Sequence, residues 1–134
     1  CIETAPNIVI IKLGTNDSKP ENWQHGAAFE HDLQAMVDTL QQLPSHPRIL
    51  LATPIPAFKP TWNINDSVLV HAITPIIAKV AREKHCDFID LHQLAGLTSN
   101  DVQPDGIHPT ATGAARIAET IYPFLLQKRC SNRR

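Results

Sequence analysis

A carboxylate and an imidazole three residues apart, Asp105 and His108, are the most chemically suggestive pair in this 134-residue chain. They lie in the run Asp105-Gly106-Ile107-His108-Pro109, just ahead of a helical pattern. Imidazole titrates near neutral pH and exchanges protons with reacting groups, which makes His108 a candidate general base. Asp105 can accept from its ring and fix tautomer and orientation. Pro109 stiffens the exit, and Thr110 or Thr112 can cap the helix that follows. A second polar segment, Gly14-Thr15-Asn16-Asp17, comes directly after an apolar run. Gly14 permits tight backbone geometry at a strand end, and the Asn16 amide can donate to a developing oxyanion. Together the segments look like the second half of a hydrolytic site. Each also has a plainer reading: Asp105-Gly106 as an ordinary turn with His108 on the surface, and Asn16-Asp17 as an Asx-capped turn.

Placing these groups in one cleft is the task of the elements between them. Ile8–Leu13, Ile49–Ala52 and Phe88–Leu91 are nearly continuous apolar runs, a pattern that suits strands buried on both faces of a parallel sheet. Between them, Phe29, Leu33, Met36, Val37, Leu40 and Leu43 recur at helical spacing, with Pro44 as a stop. A second stripe, Leu69, Ala72, Ile73, Ile76, Ile77 and Val80, starts behind Asp66 as N-cap, and Pro75 predicts a kink or a delayed start. A third holds Ala114, Ile117, Ala118 and Ile121, its end disturbed by Pro123. The order β-α-β-α-β-α with right-handed crossovers implies an α/β fold, a parallel sheet with helices outside it. Ligands bind beyond the C-terminal strand ends of such sheets. Asn16 and the Pro-rich loop from Pro54 to Asn65 fall on that side, and the Asp105–His108 turn can reach it.

Composition narrows the partners. No linker, repeat or low-complexity stretch divides residues 1–134, and the length suits one domain. The formal net charge of −1 gives no electrostatic drive toward nucleic acid or anionic membranes. The basic residues Lys128, Arg129, Arg133 and Arg134 read as a solvated tail without interleaved aromatics. No apolar run approaches the ~18–20 residues of a membrane span. Cys1, Cys86 and Cys130 form no CxxC pair; Cys86 reads as a small core hydrophobe, and a Cys1–Cys130 bridge needs an oxidising compartment. The His residues are scattered without HExxH or a Cys/His cluster, so no metal is expected.

Gly-Thr-Asn-Asp after a buried strand, with Asp-x-x-His-Pro before a terminal helix, resembles the SGNH hydrolases, also called the GDSL family. The likeness covers essentially the whole chain, in order. It implies a flavodoxin-like three-layer α/β/α fold, here an incomplete copy with about three strands, and a cofactor-free esterase. It also implies that Asn16 is the oxyanion donor and that Asp105 and His108 are the triad acid and base. The string GTNDSKPENW, Gly14–Trp23, is similar to a branch containing carbohydrate O-acetylesterases that act on acetylated sialic acid or xylan.

The family's nucleophile lies in an N-terminal Gly-Asp-Ser block, and a further Gly supplies a second oxyanion donor. Neither is found in this chain, which starts seven residues before its first strand run. Ser18, Ser45, Ser67, Ser99 and Ser131 lack the strand–GDS–helix setting, so the nucleophile is expected upstream. Loss of that upstream neighbour would leave Ile8–Leu13 as an open edge, prone to self-association or to holding a separate N-terminal segment. The expected substrate is a small-molecule or glycan ester, with Trp23, Trp62 and Gly14 as binding residues and the tryptophans alternatively packing as loop anchors. Lys19 and Lys59 are candidates for contact with an acidic sugar or plain surface charges. Action on glycans favours a secreted or periplasmic setting. The rival reading is a non-catalytic α/β module, or an inactive esterase fragment, binding a ligand or partner at the same strand ends.

Overall fold

A computed structural model describes residues 2–127, so the Cys1–Cys130 pairing and the basic tail from Lys128 lie outside the described residues. Three strands, β1 (Ile8–Lys12), β2 (Arg48–Ala52) and β3 (Asp87–Ile89), form a parallel sheet in the order β1-β2-β3. Ile8 pairs with Arg48 and Lys12 with Ala52, and on the other side Leu50 pairs with Asp87 and Ala52 with Ile89.

Side chains alternate across a strand, and β2 shows the consequence. Ile49 and Leu51 join Leu33, Val37, Ile73 and Val80 under the helices Gly26–Gln41 and Thr74–Glu83. Leu50 and Ala52 join Ile89 and Leu91 on the opposite face, where Ile117, Ile121 and Phe124 of the helix Ala111–Leu126 close the third layer. Each wholly buried Ile or Leu contributes about 1.5–3 kcal/mol. The half-buried Cys86 packs at the margin of the first cluster.

β1 departs from the expectation of burial on both faces. Val9 and Ile11 pack under the helices, but Ile8 is 44% and Ile10 41% exposed. The reason is coverage: the second cluster draws on β2 and β3 and takes nothing from β1. Along this edge runs an apolar groove lined by Val9, Ile11, Leu13, Met36 and Leu40.

Two local readings shift for identifiable reasons, and a third, the delayed helix start at Pro75, holds. Asn65, not Asp66, caps the second stripe, accepting from the Val68 amide at 3.3 Å. Pro75 has no N–H to offer one turn back, and the chain widens into a π turn over Leu69–Ile73 before regular helix begins at Thr74. Pro123 falls in the last turns of the terminal helix, which continues to Leu126. The stretch Thr61–Glu83 also revises the membrane estimate. Its best 18-residue window reaches a mean hydropathy of 1.3, enough by length and composition to cross a bilayer. A third of that window is buried, and Leu69, Ile73, Ile77 and Val80 belong to the core cluster with Ile49 and Leu51.

Candidate active site

The segment carrying Asp105 and His108 is braced before it reaches the sheet. Thr98 caps the short helix Ser99–Asp101 in a reciprocal box, with its amide and hydroxyl both 2.9 Å from Asp101 Oδ2. Those two donors, amide first, hold the Asp101 carboxyl below its ordinary value. Val102 and Pro109 form an antiparallel bridge, and the Gln103 amide donates to the His108 carbonyl at 2.7 Å. Thr110 then caps the terminal helix by accepting from the Gly113 amide at 3.1 Å.

Within this hairpin one carboxylate accepts three hydrogens. Asp105 Oδ1 takes the amides of Ile107 at 2.7 Å and His108 at 2.9 Å, while Oδ2 meets His108 Nδ1 at 2.9 Å. The Ile107 amide, then the imidazole, then the His108 amide hold the Asp105 carboxyl down at about 2. An ionised carboxylate only accepts, so Nδ1 carries the proton. In the neutral ring the basic lone pair is therefore on Nε2, and the His108 side chain is 61% exposed. The arrangement can take a proton at Nε2 while Asp105 stabilises the resulting imidazolium.

The loop after β2 grips this turn from the side. The Phe58 amide donates to the Gly106 carbonyl at 2.9 Å, Lys59 Nζ to the Pro104 carbonyl at 2.7 Å, and Thr61 Oγ1 to the Asp105 carbonyl at 2.6 Å. Gly106 allows the approach. Its φ is +73°, and a Cβ there would lie 2.7 Å from Lys59 Cβ and 2.9 Å from the Lys59 amide nitrogen. Trp62, from the same loop, stands at 69° to the His108 ring with centroids 5.8 Å apart. Trp62 and Asn63 both adopt left-handed backbone, at φ of 53° and 60°. For a bulky residue such a conformation costs on the order of 1–3 kcal/mol and persists where its surroundings over-determine it.

The third strand-end loop carries Asn16. Gly14 leaves β1 with φ of +122°, and Ile73 Cγ2 lies 2.8 Å from where a Cβ would be. Close packing is thus what the structure shows for Gly14. Asn16 lies in the turn Asn16–Ser18; its carbonyl accepts from Asn22 Nδ2 at 2.7 Å, and its exposed side-chain amide makes no hydrogen bond among the described residues. Ser18 is wholly buried, donating to the Thr15 carbonyl at 2.8 Å and accepting from the Asn65 amide at 3.0 Å. That pair of bonds joins the Asn16 loop to the Trp62 loop, at the same end of the sheet as the Asp105 turn.

Trp23 is placed elsewhere. It ends the short helix Pro20–Trp23 and packs on Gly26 and on Phe29, with ring centroids 6.1 Å apart. There it borders a cavity of about 260 Å³ between β1 and the long helix, lined also by Asp17, Asn22 and Leu13. No group of three or more His, Cys, Asp or Glu side chains is placed to hold a metal ion among the described residues.

Sequence reasoning missed the supports. Asp66 Oδ1 accepts from the Ala57 amide at 2.8 Å and meets His92 Nε2 at 3.0 Å. Thr53, wholly buried, accepts from the His92 amide at 3.1 Å and lies 3.3 Å from Asp90 Oδ1. These residues tie the Pro54–Asn65 loop to the ends of β2 and β3. Lys59, weighed as a sugar contact, instead bonds a backbone carbonyl.

A hydrogen-bonded imidazole and carboxylate and an unbonded Asn amide thus stand at one end of a parallel sheet. The chain belongs to the GDSL-like lipase/acylhydrolase family, whose pattern matches residues 2–116. An acetylxylan esterase of Xylanibacter ruminicola is 47% identical over 133 residues, covering 87% of this chain and 28% of that relative. The chain thus spans under a third of the length of that relative. A carbohydrate esterase family 3 structure from Talaromyces cellulolyticus matches with a TM-score of 0.72 at 25% identity, over 94% of this chain and 60% of that one. The lipase/acylhydrolase from Enterococcus faecalis matches with a TM-score of 0.77 at 20% identity, over 92% of this chain and 63% of that one, which is a likeness of fold.

Two predictions follow from the turn. Asp105 should titrate near 2 by carboxyl-carbon NMR rather than at the ordinary ~3.9. Because the folded value is the depressed one, its contribution to stability is complete above the unfolded value and fades as pH falls from about 4 toward 2. A midpoint near 4 would mean that the three donors are not engaged. Gly106→Ala, strained by φ and blocked by Lys59, should lower unfolding free energy by roughly 2 kcal/mol in urea titration. An unchanged midpoint would show that the loop does not bear on this turn.

Proposed function

We propose that this chain carries the general base, its orienting carboxylate and an oxyanion donor of a serine esterase that removes acetyl groups from a carbohydrate of the acetylated-xylan type. The observation that carries the reading is the Asp105–His108 contact at 2.9 Å, with Nε2 left as the basic nitrogen. Identity to a relative named acetylxylan esterase supports the substrate class. In this scheme a Ser supplied N-terminal to β1 in the full protein attacks the acetyl carbonyl carbon as His108 Nε2 takes its proton. The carbonyl oxygen becomes an oxyanion, and the Asn16 amide donates to it. Collapse breaks the ester bond, and His108 returns the proton to the departing sugar oxygen. Water, deprotonated by His108, then attacks the acyl-enzyme, and acetate leaves with Ser restored.

The full encoded protein should release acetate from acetylated xylooligosaccharides. Asp105→Asn keeps an acceptor for the turn amides but removes the charge that supports the imidazolium, and should lower kcat by ~10⁴. His108→Ala should fall at least as far, and Asn16→Ala by ~10²–10³. Retained activity in His108→Ala would sink the assignment. The 134-residue chain alone should act on aryl acetates barely above background, since triad members work as a unit. Robust turnover by that chain, abolished by Ser18→Ala, would make Ser18 the nucleophile despite its two hydrogen bonds.

The open side of β1 belongs to the same reading. Ile8 and Ile10 are exposed there beside the apolar groove, and each backbone group without a partner or water costs about 1–3 kcal/mol. A chain confirmed by mass to start at Cys1 should therefore self-associate through β1 or retain a separate N-terminal piece. Light scattering that shows a dilution-resistant monomer with a cooperative melt would refute this.

A further inference from the structure

We infer that Trp62 is the platform for the sugar of the leaving alcohol, and that it makes the site selective for esters of a pyranose over esters of small alcohols. The inference rests on the esterase reading above. Nδ1 of His108 is engaged by Asp105, so the proton for the leaving group is delivered from Nε2. The alcohol oxygen must then approach Nε2 to within ~2.6–3.2 Å. It is the alcohol portion of the ester, not the acetyl methyl, that lies beside this imidazole.

What the alcohol meets there is an indole. Trp62 is 56% exposed, its ring 5.8 Å from that of His108, and it belongs to neither core cluster. The C–H face of a pyranose laid on this ring removes apolar area from water with little loss of side-chain freedom. A primary alkyl alcohol is too small to reach both groups. Trp23 is committed elsewhere: its ring packs on Gly26 and Phe29 and borders the cavity beside β1.

A turn alone does not call for tryptophan at this position. Left-handed backbone at φ of 53° is met most easily by Gly or Asn. The conformation is instead enforced from both sides: Thr61 on the Asp105 carbonyl, the Asn63 amide on the Pro60 carbonyl at 3.1 Å, and the Asn65 amide on Ser18 Oγ at 3.0 Å. The bond that fixes the platform thus ends on the residue that orients the base. Indole and imidazole are set by one scaffold.

The test compares two acetyl esters in the full encoded protein: acetylated xylooligosaccharide and ethyl acetate. Trp62→Ala should raise KM for the sugar ester about tenfold, change its kcat less than ~3-fold, and cost more in kcat/KM on the sugar ester than on ethyl acetate. Trp62→Phe should recover most of the sugar preference. Equal losses on both esters would show Trp62 acting through His108, and no loss on the sugar ester would show a bystander; either result overturns the inference. Binding gives a readout apart from catalysis. In a Trp23→Phe background, xylotetraose should shift indole emission to shorter wavelength, and Trp62→Phe should remove that response. Inactive wild type, or active His108→Ala, with this fluorescence response intact would defeat the esterase reading and leave the sugar platform standing. An absent response would defeat the platform whatever the activity.

Discussion

Three hydrogens converge on the carboxylate of Asp105, and most of the site depends on that convergence. Two come from the backbone of its own turn and one from His108 Nδ1, all within 2.9 Å. The amides close the turn and keep the carboxyl ionised; the ionised carboxyl in turn dictates which imidazole nitrogen holds the proton. Fold and chemistry therefore share one interaction. A change that loosened the turn would raise the Asp105 carboxyl toward its ordinary value and release the ring with it.

The loop from Pro54 to Asn65 extends that constraint across the sheet. It leaves β2 beside buried Thr53, is pinned by Asp66 and His92, crosses the Asp105 turn through Phe58, Lys59 and Thr61, and ends on Ser18. Three strand-end loops are thus locked to one another by backbone-directed hydrogen bonds, beside the buried Pro54, Ile55 and Ile64 of this loop. Charge-bearing side chains hold two of these links, Asp66 to the Ala57 amide and Lys59 to the Pro104 carbonyl. Bonds with a charged partner are stronger than neutral ones, and these two reach the middle of the loop, at Ala57 and Lys59. The same over-determination lets Trp62 keep a backbone conformation it would not choose.

How much of this was legible in the chain depended on sequence distance. Asp105 and His108 are three residues apart, so their pairing is a property of one turn and could be read directly. The β-α-β-α-β-α order and the layered sheet also follow from local periodicity. Contacts such as Thr61 to Asp105, 44 residues apart, or His92 to Asp66, 26 apart, leave no local trace. Ser18 carried the sign of a loop residue but not of its partner, Asn65. The β1 run shows the opposite error. An apolar strand sequence records what the strand is suited to bury, whereas exposure records what lies against it, and Ile8 and Ile10 are suited to a cover the described residues do not supply. Thr61–Glu83 is similar: its apolarity has the length of a membrane span, while Leu69 and Ile73 within it are buried in the core.

These two observations, a locally assembled acid–base pair and an uncovered β1, separate readiness from function. Asp105 and His108 are held in register by bonds that involve nothing N-terminal to β1, so the pair needs no nucleophile in order to form. Its chemistry is different. A base with a correctly placed proton accelerates nothing until an acceptor and an oxyanion donor share its cleft, because the members of such a unit contribute together and not in proportion. The bonds that position Asp105 and His108 thus come from their own turn and the loop after β2, while the apolar groove, with Leu13 and the Asn16 loop, lies at the β1 side. A segment docking on β1 would extend the sheet and arrive beside Asn16 in a single step. Covering the exposed Ile8 and Ile10 would then add apolar burial at β1 while the geometry of His108 stayed as its own turn had already set it.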